Sequence, residues 1–398
     1  MILIDKPYAS DFLIQTIKEN NFEIIATEAA KLMIADPSLN WISEQKAIQK
    51  IKDNPTIPIY SNSENSIGWV EEHLHFTKLP QQISLFKNKL KFRALIADIF
   101  PEYFFKGIKF TDLKNINVHH LKFPFIIKPT VGFFSIAVHK VDSAKEWESV
   151  LNAIENEVSN FKSHYPKQVI DITDFIIEEY IDGEEYAVDC YFNNKGEPVI
   201  LNVLHHIFSS ANDVSDRVYS TSKTIIETYF TQIQSFLQLI GKKANLKNFP
   251  IHIEIRVNPE GKVYPIEVNP LRFGGWCTTG DLAWYAYGIN SYEYFLKGKK
   301  PDWNEIFKTR ESQKYSIVLL DNGLGIPENT ISHFDFEKLL KDFKKPLTLR
   351  KTDFKKYPIF GFVFVETTAE NEHELSTILT SDLQKYIILK SRVNNESN

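Results

Sequence analysis

The chain reads as an α/β protein of more than one domain, on three observations. Short apolar runs and helical stretches alternate through about the first 85 residues. An antiparallel meander follows between Phe175 and Val203. A hairpin with a strongly polar face spans Ile251 to Gly275. At 398 residues the chain exceeds one compact core, so two or three domains are expected.

Composition excludes several classes. A hydrophobic content of 43% with 24% charged residues is that of a globular protein. The net charge of -5 lacks the basic excess of a nucleic-acid binder. Cys190 and Cys277 lie far apart and show no metal-ligand spacing. They read as small buried hydrophobes rather than a disulfide, which fits a reducing compartment. No apolar run reaches the roughly 18 residues of a membrane span. No secretory leader is evident. A cytoplasmic protein with no membrane and no nucleic-acid partner is expected.

The elements follow in order. Residues 2–4 and Phe22 to Ala26 read as strands around a helix from Asp11 to Asn20. Ile57 to Tyr60 and a helix around Ser66 to Leu74 complete a small open α/β domain over residues 1–85. No glycine-rich dinucleotide fingerprint follows its first strand. Asn88 to Phe100 reads as a helix stopped before Pro101, and Phe123 to Ile127 as a strand closing on Lys128-Pro129. Ser143 to Phe161 is an amphipathic helix with Trp147, Val150, Leu151 and Ile154 on one face. The meander comprises Phe175 to Ile181, Glu185 to Phe192 and Val199 to Val203. His205 to Ser222 lacks periodicity and reads as a long polar loop. Thr224-Ile225-Ile226-Glu227 has the spacing of a capping box, opening a helix that stops at Gly241. Residues 301–313 read as a linker. The remainder alternates Ser316 to Leu320, Phe336 to Phe343, Ile359 to Val365 and Glu370 to Leu379.

The hairpin turns at Asn258-Pro259-Glu260-Gly261. Side chains alternate along a strand, so His252, Glu254 and Arg256 share one face. Glu267 and Asn269 share a face of the return strand. With Asn258 opposite Gly261, Glu254 falls opposite Pro265 and Glu267 opposite His252. The two glutamates are then diagonal neighbours roughly 7–8 Å apart at the backbone. Two carboxylates and an amide so placed suit a hard cation that keeps phosphate and water in its other positions. An ordinary hairpin with a solvated polar face is the competing account, and register decides between them: one bulge would separate the carboxylates.

Four features therefore occur in order. Lys89 opens a helix. Lys128 closes an apolar strand and precedes a loop with Gly132 and Ser135. Glu178-Glu179-Tyr180-Ile181 and Glu185 bracket a strand turn. Glu254, Glu267 and Asn269 come last. This ordered set, from Lys89 to Gly275, resembles the ATP-grasp superfamily of the carboxylate–amine ligase type. The resemblance implies an α+β ATP-grasp fold: an N-terminal open α/β pre-ATP-grasp domain (1–85), an ATP-grasp core of two α+β subdomains clamping the nucleotide (86–300), and a C-terminal α/β segment (301–398).

It also implies roles. Lys89 and Lys128 resemble the lysines that touch nucleotide phosphates, a task suited to a compact point charge. Lys87 and Lys91 are rivals of Lys89. Ser135 belongs to the loop that covers the phosphates. Glu178 resembles the acceptor for the adenine amino group, backbone groups of Glu179 and Ile181 the readers of the base edge, and Glu185 the ribose acceptor, with Glu184 as its rival. Glu254, Glu267 and Asn269 resemble ligands of Mg2+, two ions in the family, with Mn2+ as a substitute. Arg272 resembles the arginine that holds a carboxylate or acyl phosphate. Arg256 serves similarly or pairs with Glu254. His252 stands where some relatives place an oxyanion-stabilising arginine, and Arg217 is a candidate substrate contact in the polar loop. One departure is clear: Pro129 to Ser135 carries one glycine and two phenylalanines where relatives are rich in glycine and serine.

The implied reaction is amide formation. ATP phosphorylates a carboxylate, an amine attacks the acyl phosphate, and ADP and phosphate leave. The amine partner is an amino acid or a peptide, and a homodimer is left open. A kinase on the same fold and a non-catalytic nucleotide-binding protein are the alternatives. No Ser-His-Asp or Cys-His signature argues for a covalent enzyme intermediate.

Overall fold

Four two-residue strands, β1 (Ile2–Leu3), β2 (Ile24–Ile25), β3 (Trp41–Ile42) and β4 (Tyr60–Ser61), form a parallel sheet in the order β3-β2-β1-β4. Parallel neighbours need crossovers. Helices Asp11–Asn20, Glu28–Met33 and Glu44–Asp53 supply them. Each starts at a hydroxyl cap: Ser10, Thr27 and Ser43 accept from the amides of Leu13, Ala30 and Lys46. The sequence reading found this strand–helix–strand order but missed β3 and the two later crossover helices. The computed structural model describes residues 1–132, 137–161, 171–209, 216–323 and 325–390.

The chain divides into two compact units. The first comprises Met1–Asn202, Tyr229–Asp281 and Asn290–Pro301. The second comprises Val203–Thr228, Leu282–Ile289 and Asp302–Asn398.

The first unit holds the parallel sheet and two antiparallel arrays. Strands β5 (Phe105–Lys109), β6 (Phe125–Val131), β7 (His139–Val141) and β8 (Asp171–Glu179) pair in the order β5-β8-β6-β7. Helix Trp147–Phe161 buries Trp147, Val150, Ile154 and Val158 against Phe125, Ile127, Phe175 and Ile177, the face its periodicity indicates. Strand β6 continues through Lys128-Pro129 to Val131 rather than ending there. Helix Lys89–Ile96 is capped by Asn88, whose side chain accepts from the Lys91 amide at 3.0 Å. It stops four residues earlier than expected.

Strand β9 (Glu184–Phe192) turns through Asn193 to Gly196 into β10 (Pro198–Ile207), which runs from the first unit into the second. The long loop expected over His205 to Ser222 is largely strand. β10 reaches Ile207, and β11 (Val218–Ser222) pairs with it, His205 opposite Ser220. Val218, Ser220 and Thr221 are buried, so cross-strand packing overrides the segment's polar appearance.

The helix after β11 spans Lys223–Ala244. Its cap is the Ser222 hydroxyl, which accepts from the Ile225 amide at 3.2 Å, so Thr224 lies inside the helix. Gly241 does not end it. A Cβ there would sit 2.2 Å from Cε1 of Phe192, so glycine lets the helix lie close on β9. Strands β12 (Phe249–Val257) and β13 (Val263–Pro270) complete the array of the first unit, ordered β13-β12-β9-β10.

In the second unit the order is β10-β11, then β14 (Lys314–Asp321). The pair β15 (Ile331–Phe334) and β18 (Ile387–Leu389) forms its own two-stranded sheet, and β16 (Pro346–Lys351) and β17 (Ile359–Thr367) extend the main array as β14-β17-β16. Val318, Leu320, Phe334, Phe360, Val363 and Tyr386 form its core. Residues 301–313, expected as a linker, contain helix Trp303–Phe307, capped by Asp302. Among the described residues no helix is long and apolar enough to cross a membrane.

Candidate active site

The hairpin carries the site, in a register different from the simple one. The turn closes between Val257 and Val263, with the Asn258 amide donating to the Lys262 carbonyl at 3.1 Å. Ile255 lies opposite Pro265, but Glu254 lies opposite Glu267. Ile266 is thus one residue extra on β13, a bulge. The bulge does not part the carboxylates. It brings Glu254 and Glu267 from the expected diagonal to directly facing positions, with Asn269 opposite His252.

On the other side of β12, β9 contributes Glu185 opposite Arg256, Ala187 opposite Glu254 and Asp189 opposite His252. Three strands thereby build one polar face. The small Ala187 leaves room beside Glu254. Like charges directly across a ladder repel. Here a cation already sits at the pair: Lys89 Nζ lies 3.0 Å from Glu267 Oε2. Burial pushes the Glu267 carboxyl up, but Lys89 and Lys87 outweigh it and hold it lowered. The donor set of two facing carboxylates and an amide fits a divalent ion of the Mg2+ type. Among the described residues no cluster of three or more His, Cys, Asp or Glu suited to a metal occurs, and the third donor at this face is the Asn269 amide.

The lysines expected at the phosphates are both buried near this face. Lys89 also reaches the Gly132 carbonyl at 3.4 Å. Lys128 Nζ lies 2.6 Å from Glu178 Oε1, and burial lowers its pKa despite that partner. Glu178 departs from expectation. Its other oxygen accepts from Arg93 Nε at 2.6 Å, and the side chain is 3% exposed. Burial alone would raise its carboxyl, yet Arg93 and Lys128 bring it down to about 2. A sealed carboxylate between two cations is a shared counter-ion rather than an open acceptor for an adenine amino group.

The base-edge expectation changes as well. The Glu179 amide donates to the Phe104 carbonyl at 2.9 Å, and its carbonyl accepts from the Tyr103 hydroxyl at 2.9 Å. The Glu179 carboxylate pairs with Lys122 at 2.6 Å. The Ile181 carbonyl accepts from Arg256 Nη1 at 2.7 Å, and Arg256 Nε donates to Glu185 Oε2 at 3.0 Å. Arg256 therefore joins the residues expected at base and ribose. Ser135 lies outside the described residues.

Arg272 sits in the loop after β13. Its Nη2 and Nε lie 3.0 and 3.3 Å from Glu64 Oε1, and its Nη1 donates to the Phe273 carbonyl at 2.8 Å. Lys87 pairs with the other Glu64 oxygen. Burial raises the Glu64 carboxyl, but Lys87 and Arg272 hold it at about 2. The loop docks on β4 through the Ser61 amide, which donates to the Leu271 carbonyl at 2.8 Å. His252 Nδ1 lies 2.7 Å from Asp189 Oδ1, which also accepts from the Gly274 amide at 3.1 Å. In the second unit Arg217 bonds Asp321 at 2.8 Å and the carbonyls of Ile378 and Ser381, so it braces structure and is no open substrate contact.

Sequence reading missed Arg93, Glu64 and Asp189. Arg93 follows Lys89 by one helical turn, a same-face pair of cations that spacing could have flagged. Asp189 interrupts an apolar strand. Glu64 carries no local signal.

Residues 121–280 match the family model of the ATP-grasp domain. A comparison with curated proteins finds no match. The fold is similar to that of the L-amino acid ligase from Bacillus licheniformis, at 17% identity over 98% of each chain and a TM-score of 0.67. Biotin carboxylase from Campylobacter jejuni is similar at 14% identity, over 98% of this chain and 91% of that one, with a TM-score of 0.64. N5-carboxyaminoimidazole ribonucleotide synthetase from Thermotoga maritima is similar at 14% identity, over 98% and 99%, with a TM-score of 0.63. The matched segment runs from just before β6 through the loop after β13 and leaves out Glu64, Lys87, Lys89, Lys91 and Arg93. Residues 121–280 thus form an ATP-grasp domain, within a chain whose fold is similar to these three structures.

Proposed function

We propose that this protein is an ATP-dependent carboxylate–amine ligase that forms an amide through an acyl phosphate, releasing ADP and phosphate. The observation that carries the proposal is the facing pair Glu254 and Glu267 with Asn269, set beside the buried ammonium of Lys89. Mg2+ held by those residues, as one ion or two, would neutralise charge on the transferring phosphoryl group, and Mn2+ suits the same ligands.

The chain's own groups do the rest. Lys89 and Lys128 hold nucleotide phosphates. Arg256, Glu185 and the Ile181 backbone bind base and ribose. Arg272 has its Nε–Nη2 edge on Glu64 and one Nη1 hydrogen on the Phe273 carbonyl, and would offer its remaining Nη hydrogens to the substrate carboxylate. Catalysis is positioning plus charge stabilisation, with no covalent enzyme intermediate. The similarity to an L-amino acid ligase supports amino acids as substrates, with a peptide as an alternative amine partner. Two buried free thiols fit a reducing, cytoplasmic setting. The kinase alternative would need a strongly basic pocket, and the Arg217 to Lys223 segment is only mildly basic, with Arg217 bonded to Asp321 and Lys223 to Glu311.

The test is ADP release from ATP and Mg2+ against pooled amino acids and small carboxylates, with Lys128→Ala and Glu267→Gln as controls. Stimulation by one pool that both variants lose supports the ligase. Amide formation that survives Glu267→Gln refutes the mechanism.

A further inference from the structure

We propose that Arg93 is a positioning residue that locks the β12–β13 bulge and so sets the facing carboxylates for their divalent ion, an inference that rests on the ligase reading for the metal's identity. Arg93 is 2% exposed and spends its guanidinium on three acceptors. Nε donates to Glu178 Oε2 at 2.6 Å, Nη1 to the Pro265 carbonyl at 2.6 Å and Nη2 to the Ile266 carbonyl at 3.4 Å. Pro265 and Ile266 are the residues at which the ladder changes register.

Among the described residues β13 is the edge of its array, with no further strand paired outside it. A slip of one residue there would carry Glu267 away from Glu254. Arg93 supplies donors to the edge at the point of the slip. The same guanidinium is stacked 4.9 Å over the Tyr103 ring, which fixes its plane. Through Glu178 it is also tied to Lys128. One side chain thus links the phosphate lysine of one array to the metal hairpin of the other. A lysine at position 93 could neutralise Glu178 but could not span both carbonyls.

The experiment compares wild type with Arg93→Lys. Mn2+ binding is followed by electron paramagnetic resonance in the presence of ADP, and amide exchange is followed over Val263 to Pro270. The variant is expected to bind Mn2+ about tenfold to a hundredfold more weakly, the range for residues that orient metal ligands. Exchange across the segment is expected to rise, while binding of a fluorescent nucleotide without metal stays within about threefold. A purely structural arginine would lower the melting temperature and affect both ligands alike. Unchanged Mn2+ affinity overturns the proposal, and so does equal loss of metal and nucleotide.

Should Arg93→Lys lose its cooperative melt, deleting Ile266 in the same variant removes the extra residue and leaves Glu254 facing Glu267 in a regular ladder. Recovery of the melt and of Mn2+ binding supports the brace, and failure to recover refutes it. Wild type that binds Mn2+ with ADP yet never forms an amide sinks the ligase reading and leaves the brace standing. Wild type that binds no Mn2+ with nucleotide sinks the brace.

Discussion

Glu254 and Glu267 face each other directly across neighbouring strands, and the Lys89 ammonium lies 3.0 Å from Glu267. Replacing Glu267 by Gln removes half of the facing pair and the partner of a buried lysine. Metal-dependent turnover should fall at least about a hundredfold. Without metal, stability should fall by roughly 1–3 kcal/mol for the orphaned ammonium. Steady-state ADP release and a thermal melt, each run with and without Mg2+, read the two effects separately. A variant that still gains melting temperature from Mg2+ and nucleotide together would contradict this placement of the metal.

Lys128 and Glu178 should behave as a coupled buried pair. Lys128→Ala leaves Glu178 with Arg93 alone, and roughly 3–5 kcal/mol of stability should be lost. Lys128→Met with Glu178→Gln should cost less than the sum of the single changes. Urea denaturation of the four proteins closes the cycle, and additive losses would show that the pair is not coupled.

Arg256 should act on the nucleotide end. Arg256→Met is expected to raise KM for ATP about tenfold, the loss of one charge-assisted hydrogen-bonded anchor. KM for the carboxylate should stay within about twofold. The reverse split would return Arg256 to the acyl end.

Acid stability follows from Glu64 and Glu178, each held at about 2 in the folded chain. An unfolded glutamate titrates near about 4.3, so on acidification the unfolded chain takes up protons first. The stabilisation is complete above about 4.5 and is lost as pH falls toward 2, roughly 3 kcal/mol for each group. Unfolding free energy measured from pH 6 down to pH 2 should drop steeply in that window. Glu64→Gln should be less stable at pH 6 and show a shallower slope.

Gly241→Ala separates local propensity from packing. In an exposed helix interior the change would stabilise by about 1 kcal/mol. Here the new Cβ meets the Phe192 ring, and a net loss of about 1–3 kcal/mol is expected in a thermal melt. A stabilised variant would mean that Phe192 swings aside freely.

The order of motifs was legible because each is local: Lys89 at a helix start, Lys128 within an apolar strand, and two glutamates on alternating strands. What failed was non-local. The β12–β13 register depended on Ile266 bulging, and no propensity marks that residue. Glu178 looked like an open acceptor because its partners Arg93 and Lys128 lie 85 and 50 positions away in sequence. The strand at Val218–Ser222 looked like loop because its hydroxyls are paired in the folded chain, as Ser220 is with Ser316 and Thr221 with Tyr287. Such residues advertise polarity in sequence and lose it on pairing.

The loop after Asn269 holds Leu271, Trp276 and Cys277 at φ of 67°, 57° and 58°. Left-handed backbone at non-glycine residues costs on the order of 1–3 kcal/mol apiece. That cost is borne by a few anchors: the Ser61 amide on Leu271, and Asp189 and Thr279 on the Gly274 amide. Leu271, Phe273 and Cys277 are buried, so the core holds the strained backbone down, and losing any one of these anchors would release strain together with a contact.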